Sequence, residues 1–234
     1  MPAGAIECYD YRQMKLQIIT LFPKMFDGPF AESMLLKAQN KGLISVELID
    51  LRQFGLGPRK TVDDTPYGGG DGMVLRPEPI AAAIETAQQT NDKAKIILLT
   101  PSGQRLRQPL VRQLVAESGL ILVCGRYEGV DERVASLVDV ELSVGDYVLT
   151  GGEIPAMVVV DAVSRLIPGV LGGETSAEIE SFADGETLEY PQYTKPASWR
   201  GLVVPEVLLS GHHGEVLKWR ADQAAKRTRG RAGR

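Results

Sequence analysis

Cysteine and histidine are scarce in this chain of 234 residues, which contains two of each. Cys8 and Cys124 lie far apart and form no C-x-x-C pair, so the sequence predicts neither a disulfide framework nor a cysteine metal site. His212 and His213 are adjacent and flanked by glycines, which makes a Ser-His-Asp triad or a structural zinc site difficult to assemble. We therefore assign no residue to a metal site.

Long apolar runs and a leader segment are also lacking. No run approaches the roughly 18 apolar residues that a membrane helix requires. The first residues, "MPAGAIECYDYRQMKLQ", do not show the basic-then-apolar order of a signal peptide. The sequence therefore predicts a cytoplasmic protein that has no membrane partner.

Three common nucleotide and hydrolase motifs are absent as well. The chain has no G-x-x-x-x-G-K-[ST] phosphate loop, and no G-x-G-x-x-G follows its first apolar segment. A G-x-S-x-G nucleophile elbow is missing too. These absences disfavour ATP-type sites, dinucleotide sites and a serine nucleophile.

Short apolar, β-branched segments alternate along the chain with segments of helical periodicity. The strand candidates are "LQIITL", "ISVELIDL", "KIILLT", "LILVC" and "VDVEL", and the helix candidates include "PEPIAAAIETAQQ" and "QPLVRQLVAES". Pro155 suits the first turn of a further helix, which Pro168 and Gly169 end. Buried strands that alternate with helices predict an α/β fold with a mostly parallel sheet covered on both faces.

Glycine-bearing segments follow three consecutive strand candidates, namely "LLTPSGQ", "LVCGRYEGVDER" and "SVGDYVLTGGEIP". The carboxyl ends of parallel strands meet at one edge of a sheet, where loops leave backbone groups available to a ligand. We therefore predict a small-molecule site built from main-chain groups and apolar side chains, of the kind that an adenosine moiety occupies. A fourth cluster, Gly68 to Gly72, is interpreted as a flexible loop or as a lid over such a ligand.

Charge is distributed unevenly, although the formal net charge is only -4. The segment 174–189 contains six acids and no base, which indicates a flexible linker. The last twenty residues contain seven Lys or Arg against two acids, which indicates a solvated basic end or a contact with phosphates. The predicted divisions are an N-terminal extension (1–13), an α/β domain (14–172), an acidic linker (173–189) and a small, mainly helical C-terminal domain (190–234).

Long motifs in one order carry a resemblance to a known family. They are "LFP", "TVDDTPYGGGDGM", "TPSGQ", "LVCGRYEGVDERV", "SVGDYVLTGGEIPAM", "SRLIPGVLG", "PQYTKP" and "VPEVLLSGHHGEVLKWR". From about Met14 to Arg227 the chain closely resembles the bacterial tRNA (guanine-37-N1)-methyltransferases of the TrmD type, in the SPOUT superfamily.

The resemblance implies a deep trefoil knot in the α/β domain, an obligate homodimer, and S-adenosyl-L-methionine bound in the knotted loops. Reasoning from periodicity does not suggest a knot, because knotted chains are so rare. The resemblance also makes 14–172 the cofactor-binding domain and 190–234 a tRNA-binding domain, and it places Glu128 near the methionine end of the cofactor. The residues that it assigns to the cofactor are Pro101, Gly103, Gly125, Glu128, Val144, Gly145, Asp146, Tyr147, Val148, Leu149, Gly151, Gly152 and Pro155.

By the same resemblance, the reaction is direct methyl transfer to N1 of guanosine 37, next to the anticodon of a tRNA. Guanine N1 carries a proton that a carboxylate must remove, and the developing charge falls largely on O6, where an arginine would stabilise it. Arg165 matches the family's arginine. The family's base is an aspartate, and this chain has Glu180 at that position, with Asp184 as a second candidate.

Two alternatives stay open. The extra methylene of Glu180 moves its carboxylate by over ~1 Å, and a displacement of that size can cost about 10²-fold in rate. The chain could therefore be a cofactor- and tRNA-binding protein with weak or lost catalysis. The other alternative is a related methyltransferase that acts on a ribose 2′-hydroxyl. A role for Mg²⁺ is left open and is tied to no residue.

Overall fold

The computed structural model describes residues 13–172 and 180–232. Most of the predicted N-terminal extension, residues 173–179 of the predicted linker and the last two residues lie outside this part of the chain. The chain divides into two compact units, Met1–Gly172 and Gly173–Arg234.

The described part of the first unit contains seven strands, and five of them form a central parallel sheet, as the sequence predicted. In chain order the strands are β1 (Met14–Thr20), β2 (Ile44–Asp50), β3 (Asp63–Asp64), β4 (Val74–Leu75), β5 (Lys95–Arg105), β6 (Gly119–Cys124) and β7 (Val140–Ser143). The central sheet has the order β2-β1-β6-β5-β7, and all its neighbouring strands are parallel. The short strands β3 and β4 form a separate antiparallel pair.

Five α-helices accompany these strands in the described part of the first unit. They are α1 (Asp27–Phe30), α2 (Ser33–Asn40), α3 (Pro77–Gln88), α4 (Gln108–Val115) and α5 (Glu153–Ser164). In α3 the buried residues Ile80, Ala83, Ile84 and Ala87 recur at helical spacing, which gives the helix one apolar face. None of the helices described is both long and apolar enough to cross a membrane.

Two apolar cores lie on opposite faces of the sheet, because alternate residues of each strand point to opposite sides. Along β6, Leu120, Leu122 and Cys124 belong to the core shared with α4 and α5. Ile121 and Val123 belong to the core shared with α3. Every residue of β6 is buried, and full burial of such a side chain stabilises the fold by about 1.5–3 kcal/mol.

Strand β5 contains an interruption that shapes the sheet's edge. Leu99 pairs with Leu142 of β7, and after a shift of register Gln104 pairs with the same Leu142. Residues 100–103 therefore bulge out of the pairing with β7, and both ends of this bulge lie at one position of β7. The sequence placed the end of this strand at Thr100, because the polar residues after the bulge do not continue the apolar pattern.

The second unit is described from residue 180 onwards and contains a short hairpin and one long helix. The hairpin pairs β8 (Ser198–Trp199) with β9 (Leu202–Val203), and α6 covers His213–Ala232. Arg200 and Gly201 connect the two strands with φ angles of 51° and 79°, as a tight hairpin turn requires. None of the side chains described between residues 180 and 231 is buried.

Candidate active site

A cavity of about 270 Å³ lies at the bulge of β5 and the carboxyl ends of β6 and β7 in the first unit. The three glycine-bearing segments that the sequence predicted to follow these strands supply most of its wall. Eleven of the thirteen residues that the resemblance assigns to the cofactor line it: Pro101, Gly125, Glu128, Val144, Gly145, Tyr147, Val148, Leu149, Gly151, Gly152 and Pro155.

The other two assigned residues lie beside the cavity. A Cβ at Gly103 would lie 2.3 Å from the backbone nitrogen of Leu142, so glycine is needed there for β5 to approach β7. Asp146 forms an ion pair with Arg105, and its side chain is 81% exposed. The roles of both residues toward a cofactor stay predictions.

The loop after β7 is held by its own backbone and one serine. Ser143 donates its hydroxyl to the carbonyl oxygen of Gly145 at 3.0 Å, and the Gly145 N–H donates back to the Ser143 oxygen at 3.2 Å. Tyr147 and Val148 follow with 58% and 83% of their surface exposed. The loop therefore presents large apolar surface from a fixed backbone, which suits contact with an aromatic ligand.

The end of that loop passes very close to β6. The N–H of Gly152 donates to the carbonyl of Gly125 at 2.9 Å. A Cβ at Gly152 would lie 2.6 Å from the Cα of Cys124, so any larger residue would push the two segments apart. At this point the loops after β6 and β7 are joined by a backbone hydrogen bond.

The loop after β6 carries a strained tyrosine and a carboxylate. Tyr127 has a φ angle of 60°, a conformation that costs about 1–3 kcal/mol in non-glycine residues and occurs often at functional sites. Burial, and then a hydrogen bond to Asp63, raise the pKa of Tyr127 above its usual value. The next residue, Glu128, lies against Gly72, where a Cβ would be 2.5 Å from the carboxylate oxygen Oε1. The glycine cluster that was interpreted as a flexible loop or a lid thus lies beside Glu128.

A buried acid and an arginine that the sequence did not single out lie behind the cavity wall. Glu153, at the first residue of α5, is 0% exposed and accepts a hydrogen bond from Thr20 at 2.9 Å. Arg126 Nε lies 2.8 Å from the other carboxylate oxygen of Glu153. This is a contact of opposite charges without an aligned hydrogen bond, because neither atom has a hydrogen-bond partner among the described residues.

Further contacts of Arg126 connect it to three segments. Its Nη1 donates to the carbonyl of Thr150 at 3.0 Å, and its guanidinium lies 4.5 Å from the ring centre of Phe22. The nearest atom to a Cβ built at Gly151 is Arg126 Nε, at 2.3 Å. The motifs "LFP", "GRYEG" and "TGGE" thus meet around one side chain. The sequence does show Arg126 and Glu153 inside these motifs. An arginine in a loop and an acid at the start of a helix are both common, so neither residue indicated the contact.

The two residues predicted to be catalytic belong to different units. Arg165 follows the last residue of α5 in the first unit, and its N–H donates to the carbonyl of Asp161 at 3.1 Å. Glu180 is the first described residue of the second unit, where its carbonyl accepts from the N–H of Ala183 at 3.1 Å. Their catalytic roles stay predictions.

Asp184, the second candidate base, is held in a tight turn. Its carboxylate accepts from the hydroxyl and the N–H of Thr187 and from the N–H of Glu186. The Thr187 side chain, followed by these backbone donors, lowers the pKa of Asp184 to about 2. A general base works best when its pKa lies near the operating pH, so a pKa of about 2 makes Asp184 poorly suited to that role.

The described residues contain no cluster of side chains suited to bind a metal ion. No group of three or more His, Cys, Asp or Glu side chains among them is arranged to hold an ion. The structure therefore ties Mg²⁺ to no side chain in that part of the protein.

Comparison with known proteins gives one family. The family model described as tRNA (Guanine-1)-methyltransferase TrmD matches residues 14–233. A tRNA (guanine-N(1)-)-methyltransferase of Geotalea uraniireducens is 57% identical over 216 residues, which cover 92% of this chain and 87% of the relative. The protein of the same name from Citrifermentans bemidjiense is 56% identical and that from Chloroflexus aurantiacus 55%, each across 92% of this chain and 86% and 85% of the relative. The chain therefore belongs to the tRNA (Guanine-1)-methyltransferase TrmD family.

Proposed function

We propose that this protein transfers a methyl group from S-adenosyl-L-methionine to N1 of guanosine 37 in tRNA. One observation supports the proposal most: a chain of this family has an acid-lined cavity at the bulge of β5 and the carboxyl ends of β6 and β7. Eleven of the thirteen residues that the resemblance assigns to the cofactor line that cavity.

The residues of the cavity fit the cofactor by their chemistry. The loops after β6 and β7 are joined by backbone, and Gly151 and Gly152 have no room for a side chain, so main-chain groups are close to any ligand. Leu149, Val148 and Tyr147 offer apolar surface for an adenine ring, and Glu128 offers a carboxylate for an ammonium group. When bound, the cofactor supplies an electrophilic methyl group on a sulfonium. The fit supports the assignment of the site.

The chain's own residues must handle one proton and one developing charge. Glu180 removes the N1 proton of guanine, and Arg165 stabilises the charge that grows on O6. Asp184 is less suited as the base because its pKa is held at about 2. Glutamate in place of the family's aspartate changes the reach of the carboxylate, so rate is the property in which this chain should differ from its relatives.

The second unit is suited to bind RNA. Its cavity of about 430 Å³ is lined by Tyr190, Tyr193, Lys195 and Arg220 among others, and Arg220 lies 4.6 Å from the ring centre of Tyr190. Aromatic faces beside cations bind bases and phosphates. In the proposal, residues 190–234 of this unit are the C-terminal tRNA-binding domain, and residues 173–189 are the linker between the domains.

Three finer features complete the proposal. The loops of the first unit form a deep trefoil knot, the working protein is a homodimer, and residues 1–13 are an extension outside the catalytic domain. Family membership supports all three. The cytoplasmic location and a role for Mg²⁺ stay predictions.

The deciding experiment maps the product. The protein is incubated with S-adenosyl-L-methionine and unmodified tRNA, and the nucleosides are identified by mass spectrometry after position mapping. We expect 1-methylguanosine at position 37. A ribose-methylated nucleoside would identify the 2′-hydroxyl enzyme instead, and bound cofactor and tRNA without product in a single turnover would identify a binding protein without catalysis.

The roles of Glu180 and Arg165 are tested with matched variants. Glu180→Gln and Arg165→Ala should reduce turnover while cofactor affinity changes little, because neither residue belongs to the cavity wall. Glu180→Asp, which restores the family's residue, should retain or raise turnover. Glu186→Gln, the same change at an exposed acid six residues further on, is the control. Unchanged turnover in Glu180→Gln would remove this residue from the mechanism.

A further inference from the structure

The cavity has an uneven balance of charge. Among the described residues that line it, the carboxylates are Glu128, Asp131, Glu132 and Glu141, and Arg126 is the one cation. Asp131 is paired with Arg133 at 2.8 Å. The remaining acids give the cavity a negative field, except where the guanidinium of Arg126 opposes it.

The charge of Arg126 is matched from behind the wall. Glu153 contacts Arg126 Nε at 2.8 Å but is not one of the cavity's lining residues, and it is 0% exposed. A carboxylate so buried requires a partner, because removing one member of a buried pair leaves an uncompensated charge. Thr20 satisfies one oxygen of Glu153, and Arg126 lies against the other. The pair is therefore close to neutral as seen from the cavity.

The same pairing fixes where the guanidinium lies. Arg126 Nη1 donates to the carbonyl of Thr150, and its Nη2 lies 3.2 Å from the sulfur of Met25. With Phe22 on the guanidinium face, the side chain is held within the wall, and only 15% of it is exposed. Without the charge of Glu153, the positive charge of Arg126 would be unbalanced and would oppose the field of the cavity's acids.

We propose that Glu153 is a positioning residue that holds and neutralises Arg126, so that the cavity distinguishes the cationic methyl donor from its neutral thioether product. The inference rests on the proposed function. S-adenosyl-L-methionine and S-adenosyl-L-homocysteine differ by one methyl group and one positive charge at sulfur. The negative field of the partly enclosed cavity favours the cationic methyl donor. Methyl transfer removes the positive charge at sulfur, so the cavity binds the product S-adenosyl-L-homocysteine more weakly than the donor and releases it more readily.

The test measures binding without turnover. Dissociation constants of S-adenosyl-L-methionine, S-adenosyl-L-homocysteine and sinefungin, an analogue with an ammonium near the sulfonium position, are measured by calorimetry. Glu153→Gln keeps the size of the side chain and removes its charge. We expect this substitution to weaken the binding of S-adenosyl-L-methionine and of sinefungin about tenfold. Binding of S-adenosyl-L-homocysteine should weaken by no more than about twofold. Glu85→Gln, at an exposed acid of α3, should leave all three constants unchanged.

A second set of variants separates charge from structure. The double variant Arg126→Gln/Glu153→Gln removes the pair as a neutral unit. The ratio of the dissociation constants of S-adenosyl-L-methionine and S-adenosyl-L-homocysteine should therefore stay within about twofold of the wild-type ratio. Arg126→Gln alone should keep or widen the ratio by which the cavity prefers S-adenosyl-L-methionine to S-adenosyl-L-homocysteine, and this ratio still tests the inference if Glu153→Gln does not fold. Equal weakening of all three ligands in Glu153→Gln, or a narrowed preference in Arg126→Gln, would overturn the inference. Failure of the wild-type protein to bind any of the three would instead refute the proposed function.

Discussion

Strand β6 and helix α6 represent two ways in which this chain is held together. All six residues of β6 are buried between two apolar cores, whereas none of the α6 side chains described up to residue 231 is buried. The first unit thus derives its stability from packing. In the second unit, Arg220 lies over Tyr190 and Arg231 over Phe182, each at 4.6 Å, and exposed contacts of this type contribute only about 0.5–1 kcal/mol each.

The difference indicates a division of labour. A cavity built on a packed sheet keeps its geometry before the ligand arrives, which lowers the cost of ordering on binding. A unit with exposed aromatic and basic side chains has little packing to restrain it, so we expect its conformation to respond to RNA. Four measurements bear on this contrast.

The largest effect is expected from truncation of the core. Leu122→Ala in β6 should lower the free energy of unfolding by about 2–5 kcal/mol, because Leu122 is fully buried. Leu202→Ala, the same change at a residue of β9 that is 69% exposed, should alter it by no more than about 0.5 kcal/mol. Urea denaturation followed by far-UV circular dichroism measures both. Equal losses would end the contrast between the two units.

A smaller loss is expected where backbone meets backbone. Gly152→Ala places a Cβ 2.6 Å from the Cα of Cys124, and overpacking of this kind costs about 1–3 kcal/mol. The same substitution should weaken binding of S-adenosyl-L-homocysteine, since the wall between the loops after β6 and β7 must shift. Gly28→Ala, where a Cβ meets nothing within 4 Å, is the control. Unaltered stability and affinity in Gly152→Ala would show that the contact is easily relaxed.

Alkaline pH should lower the stability of the first unit. Burial, and then the nearby charge of Glu153, raise the pKa of the Cys124 thiol well above its usual value. A group whose pKa is raised on folding stabilises the protein below its unfolded pKa, here about 8.5, and that contribution is lost as the pH rises above it. The stability of the wild-type protein should fall more steeply than that of Cys124→Ala, by about 1.4 kcal/mol per pH unit.

The measurement compares urea midpoints of the two proteins, by circular dichroism, at pH 8, 9 and 10. Cys8 is present in both, so it does not contribute to the difference. If the urea midpoints of wild type and Cys124→Ala fall in parallel between pH 8 and pH 10, the fold does not hold the Cys124 thiol in its neutral form.

Acid pH should lower the stability of the second unit, and this is the smallest of the four expected effects. Both tryptophans, Trp199 and Trp219, belong to this unit, so tryptophan fluorescence follows it alone. The pKa of Asp184 is lowered to about 2, mainly by Thr187, so its contribution is present above its ordinary pKa of about 3.9. That contribution is lost as the pH falls through about 2.

The difference in urea midpoint between wild type and Asp184→Asn should therefore be constant above pH 4 and vanish near pH 2. Asp222→Asn, at an exposed residue of α6, provides the matched change of charge. A difference that persists undiminished at pH 2 would contradict the assignment of the low pKa to Asp184.

The frame of the first unit could be predicted because its strands are apolar and β-branched. Segments such as "LILVC" are buried on both faces, and such runs alternating with helices have few arrangements other than a parallel sheet. The edge where the loops meet could be predicted for the same reason. The second passage of β5 beside β7 could not, because Gln104 and Arg105 are polar and carry no strand periodicity.

The charge pair behind the cavity was also beyond sequence reasoning. Glu153 stands at the first turn of a helix, where an acid is common because it complements the helix dipole. Arg126 stands in a glycine-bearing loop, where a basic residue is equally common. Only the fold brings them to 2.8 Å from each other, since 26 residues and strand β7 separate them along the chain. Local patterns report local structure, and this contact is not local.

The double pairing of Leu142 has a consequence for engineering the protein. Because Leu99 and Gln104 both pair with this one residue, we expect the bulge between them to be the part of β5 whose length can change with the least disturbance of the sheet. Insertions between Pro101 and Ser102 should alter the depth of the cavity and leave the frame intact. A library of loop lengths at that position is therefore a direct route to variants that accept cofactor analogues with larger transferable groups.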